Sequence, residues 1–225
     1  MERPDDRAPR AAIVGVGGLG APAAIALART GARLSLFDPD VVELSNLPRQ
    51  PVYGRHDIAE PKATAAAARL RRTHPGVDVV AHTVRVDSTD GARRLAGHTV
   101  IVDATDGMEA KALLNELALE LATPLVHAGV LGLDGQLMTI VPHQSACLRC
   151  LFVELPAEDE MPSCQQAGVL GPVVGAVGLA AAREAAAVLA GESAPLQNRL
   201  AILDGGALRW RRIDLHRNPH CPACA

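Results

Sequence analysis

The chain has 225 residues, 22 Lys plus Arg against 25 Asp plus Glu, a formal net charge of -3, and 48% hydrophobic but only 2% aromatic residues. That is enough aliphatic side chain to bury one sizeable core, and too much for a disordered chain. The near-neutral balance excludes the strongly basic surface that makes nucleic acid the default partner.

The first ten residues carry charges at Glu2, Arg3, Asp5, Asp6, Arg7 and Arg10 and no hydrophobic run. No secretory leader is predicted, and a cytoplasmic address is the expectation. Residues 11–16 form a short apolar run leading into Gly15, Gly17, Gly18 and Gly20, which predicts a buried strand entering a tight turn. Residues 19–30 are rich in Ala and Leu and end near Arg29 and Gly31, a helix with a stop signal. Residues 34–37 give a second strand that ends at Asp38, completing a parallel βαβ opening.

Residues 39–61 read as a loop with short helical pieces, followed by a helix over 62–72. A third strand is predicted at 77–80, a helix at 87–95, and a fourth strand at 100–102 that delivers Asp103 and Asp106. A helix at 107–121 and a fifth strand at 124–127 follow, then an antiparallel hairpin over 129–141 with Asp134-Gly135 as its turn signal. Residues 155–166 are polar and proline-marked. The apolar stretch 167–182 is too short to span a bilayer, so a core helix over 171–189, packed closely through Gly175 and Gly178, is expected, with no membrane. A second hairpin is predicted from 201–203 and 208–213 around Asp204-Gly205-Gly206. The chain therefore reads as one α/β domain with a mixed sheet, residues 13–225, behind an arm of residues 1–12.

Four constellations carry chemistry. Gly15-x-Gly17-Gly18-x-Gly20 lets backbone amides at a helix start meet phosphate oxygens, although the motif alone does not choose the nucleotide. Taken with Asp38, its ordinary reading is the ribose of NAD; no P-loop sequence is present. Asn46, Arg49, Gln50 and Lys62 follow, and such cations and donors suit chemistry at a triphosphate better than hydride transfer. Asp103 and Asp106 at a strand end could hold magnesium or cap the next helix. Cys147-x-x-Cys150 with Cys221-x-x-Cys224 reads as a closed tetrahedral zinc site, iron-sulfur or redox use being the alternative, with Arg149 or His220 beside it. Cys164 stands alone in the polar loop, either an inert thiol or a nucleophile for acyl or sulfur transfer. Of the two lysines, Lys62 and Lys111, the ordinary expectation is a solvated surface position.

The glycine motif, Asp38, Ser45-Asn46-Leu47-Pro48-Arg49-Gln50, Lys62, Asp103-Ala104-Thr105-Asp106, the paired CxxC motifs and the segment from Gly168 to Gly175 together resemble the ThiF, MoeB and HesA adenylyltransferases, relatives of the ubiquitin-activating enzymes. The resemblance runs over nearly the whole chain. It implies a Rossmann-like three-layer α/β domain with a mixed, mostly parallel sheet, C-terminal antiparallel hairpins and a structural zinc, and it replaces NAD with ATP. The implied reaction joins the C-terminal Gly-Gly carboxylate of a small ubiquitin-like sulfur carrier to the α-phosphate of Mg-ATP, giving an acyl-adenylate and pyrophosphate ahead of thiocarboxylation. Carried over singly, Gly17 and Gly20, with Gly15 and Gly18 in the same turn, would line the phosphates and Asp38 would hold the ribose. Asn46, Arg49 and Lys62 would contact the triphosphate with Gln50 close by, Asp106 would bind magnesium, and Cys164 would serve transfer. The family also implies a homodimer and a separate sulfur donor, and the short arm leaves room for a heteromeric partner that supplies an arginine. Gly107 and Lys111 stand where relatives commonly place asparagine and arginine. Adenylation of a peptide C-terminus, a non-catalytic scaffold subunit and an NAD oxidoreductase are the competing readings.

Overall fold

The computed structural model describes residues 8–87, 89–152 and 168–225. Cys164, the whole polar stretch 155–166 around it, and Arg3 and Arg7 of the arm lie outside the described residues. The chain folds as β1 (Arg10–Val14), α1 (Gly20–Leu27), β2 (Arg33–Phe37), α2 (Lys62–Thr73), β3 (Val79–His82), α3 (Gly91–Leu95), β4 (Val100–Asp103), α4 (Met108–Glu120), β5 (Leu125–Leu131), β6 (Asp134–Ile140), α5 (Leu148–Leu151), α6 (Gly171–Leu189), β7 (Arg199–Asp204) and β8 (Arg209–Asp214). One eight-stranded sheet runs in the order β3-β2-β1-β4-β5-β6-β7-β8. The pairs from β3 to β5 are parallel, and those from β5 to β8 are antiparallel.

Strict alternation along fully buried strands explains the three layers. In β1, Ala11 and Ile13 join one core while Ala12 and Val14 join the other; Val100 and Val102 part from Ile101 in β4 in the same way. The first core is covered by α1, α2 and α6, and the second by α4 together with the cysteine-bearing segments. α2 holds its helix through alanine, turns Ala63, Ala66, Ala67 and Leu70 inward, and places Arg71 and Arg72 in its last turn, where cations suit the helix dipole.

α6 is long and apolar enough by composition to cross a membrane. Here it is a core helix: Val173, Val177, Ala181 and Ala185 are buried in the first core, and the buried carboxylate of Glu184 accepts from Thr139 Oγ1 at 2.9 Å and Leu196 N at 2.8 Å. Gly178 is glycine because a Cβ there would stand 2.4 Å from the Leu19 carbonyl oxygen, so α6 lies directly on the entry to α1. Gly175 has open space at the same position, and close packing rests on Gly178 alone of the two.

Two further expectations are corrected. The helix expected over 87–95 is formed only at Gly91–Leu95, because Asp87 Oδ1 accepts from Thr89 N and Asp90 N and holds a turn in front of it. The loop at 39–61 does carry the short helical pieces expected of it, as 3-10 helices at Leu44–Arg49 and Arg55–Asp57. The hairpin after the fifth strand turns at Gly132 and Leu133 rather than at Asp134-Gly135, with Leu131 opposite Asp134. Gly132 supplies the positive φ of 59° that the turn requires.

Candidate active site

In a parallel sheet the crevice opens where the strand order reverses, beyond the carboxyl ends of the strands. Here that point lies between β1 and its two parallel neighbours, β2 and β4. A cavity of about 900 Å³ occupies it, lined among others by Gly15, Gly17, Gly18, Asp38, Asn46, Arg49, Gln50, Lys62 and Asp106.

The glycines do different jobs. Gly15 has a φ of 86°, and a Cβ on it would fall 2.6 Å from the Ala104 carbonyl oxygen, so the turn after β1 lies against the turn after β4. Gly20 opens α1 with its Cα so close to the Gly15 carbonyl that a Cβ would sit 1.9 Å from it. It is buried and absent from the cavity lining, so its role is packing. Gly17 faces a side chain: its Cβ would stand 3.3 Å from Gln50 Nε2.

Asp38 uses both carboxylate oxygens to fix this geometry, Oδ2 accepting from Val16 N at 2.7 Å and Oδ1 from Asp40 N at 2.9 Å. Burial raises its carboxyl above the ordinary range, although the two amide bonds and Lys62 oppose the shift. Lys62 is buried, with Nζ 2.9 Å from Asp40 Oδ2, while its backbone N–H donates to the Asp40 carbonyl at 2.9 Å. Asp40, which the sequence did not single out, thus positions the lysine twice. The buried Tyr53 hydroxyl lies 2.6 Å from the Val16 carbonyl and 3.1 Å from that of Lys62, tying the glycine turn to the start of α2. Asn46 is buried beside Ser45, with Nδ2 3.2 Å from Ser45 Oγ, and Arg49 donates to the Ser45 carbonyl at 3.0 Å.

The two carboxylates at the end of β4 separate. Asp106 is exposed and lines the cavity, a hard oxygen donor that fits magnesium. Asp103 is fully buried and points elsewhere, into Lys111 Nζ at 3.3 Å, His127 Nδ1 at 2.8 Å and Thr105 Oγ1 at 2.6 Å. Burial alone would raise its carboxyl; Lys111 and then the His127 hydrogen bond overcome this and hold it well below the usual carboxylate range. Asp103 is therefore not available to a metal, and neither acid caps α4, whose N-cap is Gly107 without a side-chain bond. Lys111 is buried rather than solvated, and it also donates to the Ala128 carbonyl at 2.7 Å. Burial, with Lys111 nearby, lowers the His127 imidazole below its ordinary range against the pull of Asp103. This buried network was missed because its members are far apart in sequence and each has a bland reading alone.

The cysteine prediction holds at the level of geometry. The sulfurs of Cys147, Cys150, Cys221 and Cys224 all lie within 4.8 Å of one another, with 3.6 Å between Cys147 and Cys221 and 3.5 Å between Cys150 and Cys224. Zn–S bonds of about 2.3 Å in a tetrahedron put sulfurs about 3.8 Å apart, so the cluster fits a metal of that kind. Two donors that the sequence did not single out surround it: Asn218 N points at Cys150 Sγ at 3.4 Å, and Arg217 donates to the Cys224 carbonyl. Asn115 of α4 braces the same knuckle by accepting Leu148 N at 3.0 Å.

The family model described as the ThiF family matches residues 6–223. The chain is 41% identical over 216 residues to the SAMP-activating enzyme E1 of Haloferax volcanii, covering 96% of this chain and 80% of that protein. It is 37% identical over 218 residues to the sulfur carrier protein adenylyltransferase of Thermus thermophilus, covering 94% and 80%. Among solved structures, E. coli MccB with ATP superposes with a TM-score of 0.85 at 17% identity, over 98% of this chain and 67% of that one. MccB has also been solved in complex with N-formylated MccA, at a TM-score of 0.86 and 17% identity over 98% and 68%. At that identity the structural likeness speaks for the fold. The matched span, the two sequence relatives and the glycine-lined crevice lead to one conclusion: this chain belongs to the ThiF family and is an ATP-dependent adenylyltransferase.

Proposed function

We propose that the protein adenylates the C-terminal Gly-Gly carboxylate of a ubiquitin-like sulfur carrier, releasing pyrophosphate ahead of thiocarboxylation by a separate sulfur donor. The observation that carries this reading is one cavity lined by a glycine turn, Arg49, Lys62 and two acids of different duty, Asp38 and Asp106. The 37% identical relative from Thermus thermophilus, a sulfur carrier protein adenylyltransferase by name, supports the carrier as acyl partner.

In the proposed step a carboxylate oxygen forms a bond to the α-phosphorus while the bond from that phosphorus to the bridging oxygen of the β-phosphate breaks. Pyrophosphate carries away the electron pair. The nucleophile is already ionised at pH 7, so no general base is required. What the site must supply is alignment and neutralisation of two anionic reactants. Arg49 and Lys62 provide positive charge, the amides of the Gly15–Gly18 turn provide fixed donors, and Asp38 orients the ribose. Magnesium, when bound at Asp106, neutralises phosphate charge. Nothing here needs redox chemistry at the four thiols, which serve as a structural metal site.

A peptide C-terminus is the second reading, favoured by the same scaffold in MccB holding MccA. ATP–pyrophosphate exchange with purified, zinc-loaded protein separates the two. Exchange that depends on Gly-Gly carriers and vanishes in Asp106→Ala is the expected result. Exchange with short peptides ending in other residues, and none with carriers, would transfer the assignment to the peptide. Absence of both, with ATP bound, would leave a scaffold role.

A further inference from the structure

Four cations line the cavity, and three of them are fastened. Arg49 donates to the Ser45 carbonyl at 3.0 Å, Lys62 pairs with Asp40 at 2.9 Å, and Lys111 is held between Asp103 and the Ala128 carbonyl. The fourth, Arg85, is exposed, and among the described residues its guanidinium has neither a hydrogen bond nor an ion pair. Its neighbour Asp87 is committed to the turn before α3, with Oδ1 accepting from Thr89 N and Asp90 N. A cation left free on the wall of a nucleotide crevice is available to a ligand.

Its place separates it from the phosphates. Arg85 follows β3, which stands two strands from β1 in the sheet, about 10 Å at the ordinary strand spacing. The glycine turn leads into α1 on the face of the first core, whereas Val86 and Leu114, which line the cavity with Arg85, belong to the second core. The crevice therefore passes over the carboxyl edge of the sheet from one face to the other. A nucleotide with its phosphates at the glycine turn and its ribose at Asp38, just past β2, carries its base on toward Arg85. The wall there is apolar, with Val84, Val86, Leu113 and Leu114 available to one face of a base. Stacking on the other face calls for a planar partner. The chain has two Phe, one Trp and one Tyr. Of these only Phe37 lines the cavity, and it is 1% exposed and already stacked on His82 with ring centroids 4.5 Å apart. The planar group that remains is a guanidinium, which is weakly hydrated and stacks on aromatic faces.

We propose that Arg85 is the base-stacking residue of the nucleotide site: its guanidinium lies over the outer face of adenine, whose inner face rests on the valine and leucine wall. The proposal deepens the adenylation reading and rests on ATP in this crevice, whichever carboxylate it meets there. It gives the loop after β3 a duty that the glycine turn and Asp38 do not perform, holding the end of the nucleotide that no triphosphate contact reaches.

The test needs no acyl substrate. The full chain, loaded with zinc, is titrated with Mg-ATP, and bound ATP is then displaced by adenosine or by ribose 5-triphosphate, which keeps the sugar and phosphates and has no base. Native protein is compared with Arg85→Met, which keeps the reach of the side chain without its charge or its plane. Arg85→Met should weaken ATP and adenosine each about fivefold, the scale of a partly desolvated cation–π contact, and leave ribose 5-triphosphate within about twofold. Weakening of ribose 5-triphosphate with adenosine unchanged would give Arg85 to the phosphates, and weakening of both would give it to the ribose; either result overturns the proposal. So would unchanged affinity for all three ligands, or a carrier KM in pyrophosphate exchange that rises while ATP affinity holds. Arg85 is exposed, so the variant should melt with the native protein, and a clear fall in melting temperature would overturn the ligand role in favour of a structural one. Failure of the native protein to bind ATP would overturn the nucleotide assignment along with the proposal, a result distinct from all the others.

Discussion

The two ends of the sheet are held by different means. At the nucleotide end, β1, β2 and β4 are parallel and mostly buried, and the turns after β1 and β4 meet backbone to backbone at Gly15, Gly20 and Ala104. Beneath them sits the Asp103, Lys111 and His127 network, closed to solvent. At the other end β8 is an edge strand with all six residues exposed, carrying Arg209, Arg211 and Arg212. The tail beyond it is fastened through Cys221 and Cys224 to Cys147 and Cys150. The difference teaches where order can come from: at one end from backbone contacts that no side chain can replace, at the other from four thiols placed so that one removable metal could join them.

The sharpest way to break the first region is to unbalance its buried charge. Lys111→Met leaves Asp103 ionised without its cation and should cost about 3–5 kcal/mol, read from urea unfolding. Gly20→Ala should follow at about 3 kcal/mol, since its Cβ would collide with a backbone oxygen that cannot swing away. The second region should yield to chelation. Metal held at a hundredfold excess over its Kd stabilises by about 2.7 kcal/mol, so a chelator should lower the melting temperature, and Cys221→Ser should melt at the chelated value with or without zinc. If chelation abolished ATP binding in the folded protein, the two regions would not be independent.

A smaller effect separates them by pH. His127 has a depressed pKa in the folded chain, so its contribution is fully present above the ordinary imidazole pKa of about 6.5 and is lost as pH falls through the unfolded and then the folded value. Asp103 is also depressed, and its contribution is present above about 3.9 and lost only in stronger acid. Stability should therefore decline between pH 7 and 5, and the slope should flatten in His127→Gln while Asp103 remains charged. The smallest change expected is from Gly17→Ala, which crowds the Gln50 amide in the cavity wall and should raise the KM for ATP severalfold with little change in melting temperature.

Local signals carried most of the fold. The glycine turn, the apolar strands and the alanine helices are each specified by neighbours in sequence, and α6 begins and ends where its composition changes. The cysteine cluster was legible because two short spacings announce one tetrahedron. What composition could not show was partnership over distance. Lys111 has the sequence appearance of a surface lysine and becomes a core cation because β4 and β5 bring a carboxylate and a carbonyl to it. Asp103 and Asp106 stand three apart on paper and face opposite ways in space, since the turn between them is fastened by Thr105. Asp40 was overlooked for the opposite reason: an acid beside an acid reads as loop surface until α2 returns Lys62 to it.

The chain has a single tyrosine and a single tryptophan. Tyr53 is buried beneath the glycine turn, and Trp210 lies 40% exposed on β8, opposite Leu203. Each end of the sheet therefore carries its own intrinsic fluorophore. Tryptophan emission, excited at wavelengths beyond the tyrosine band and followed during chelation, reports the edge strand. Tyrosine emission in Trp210→Phe, where no indole competes, reports the crevice, so the loosening of one end can be timed against the response of the other.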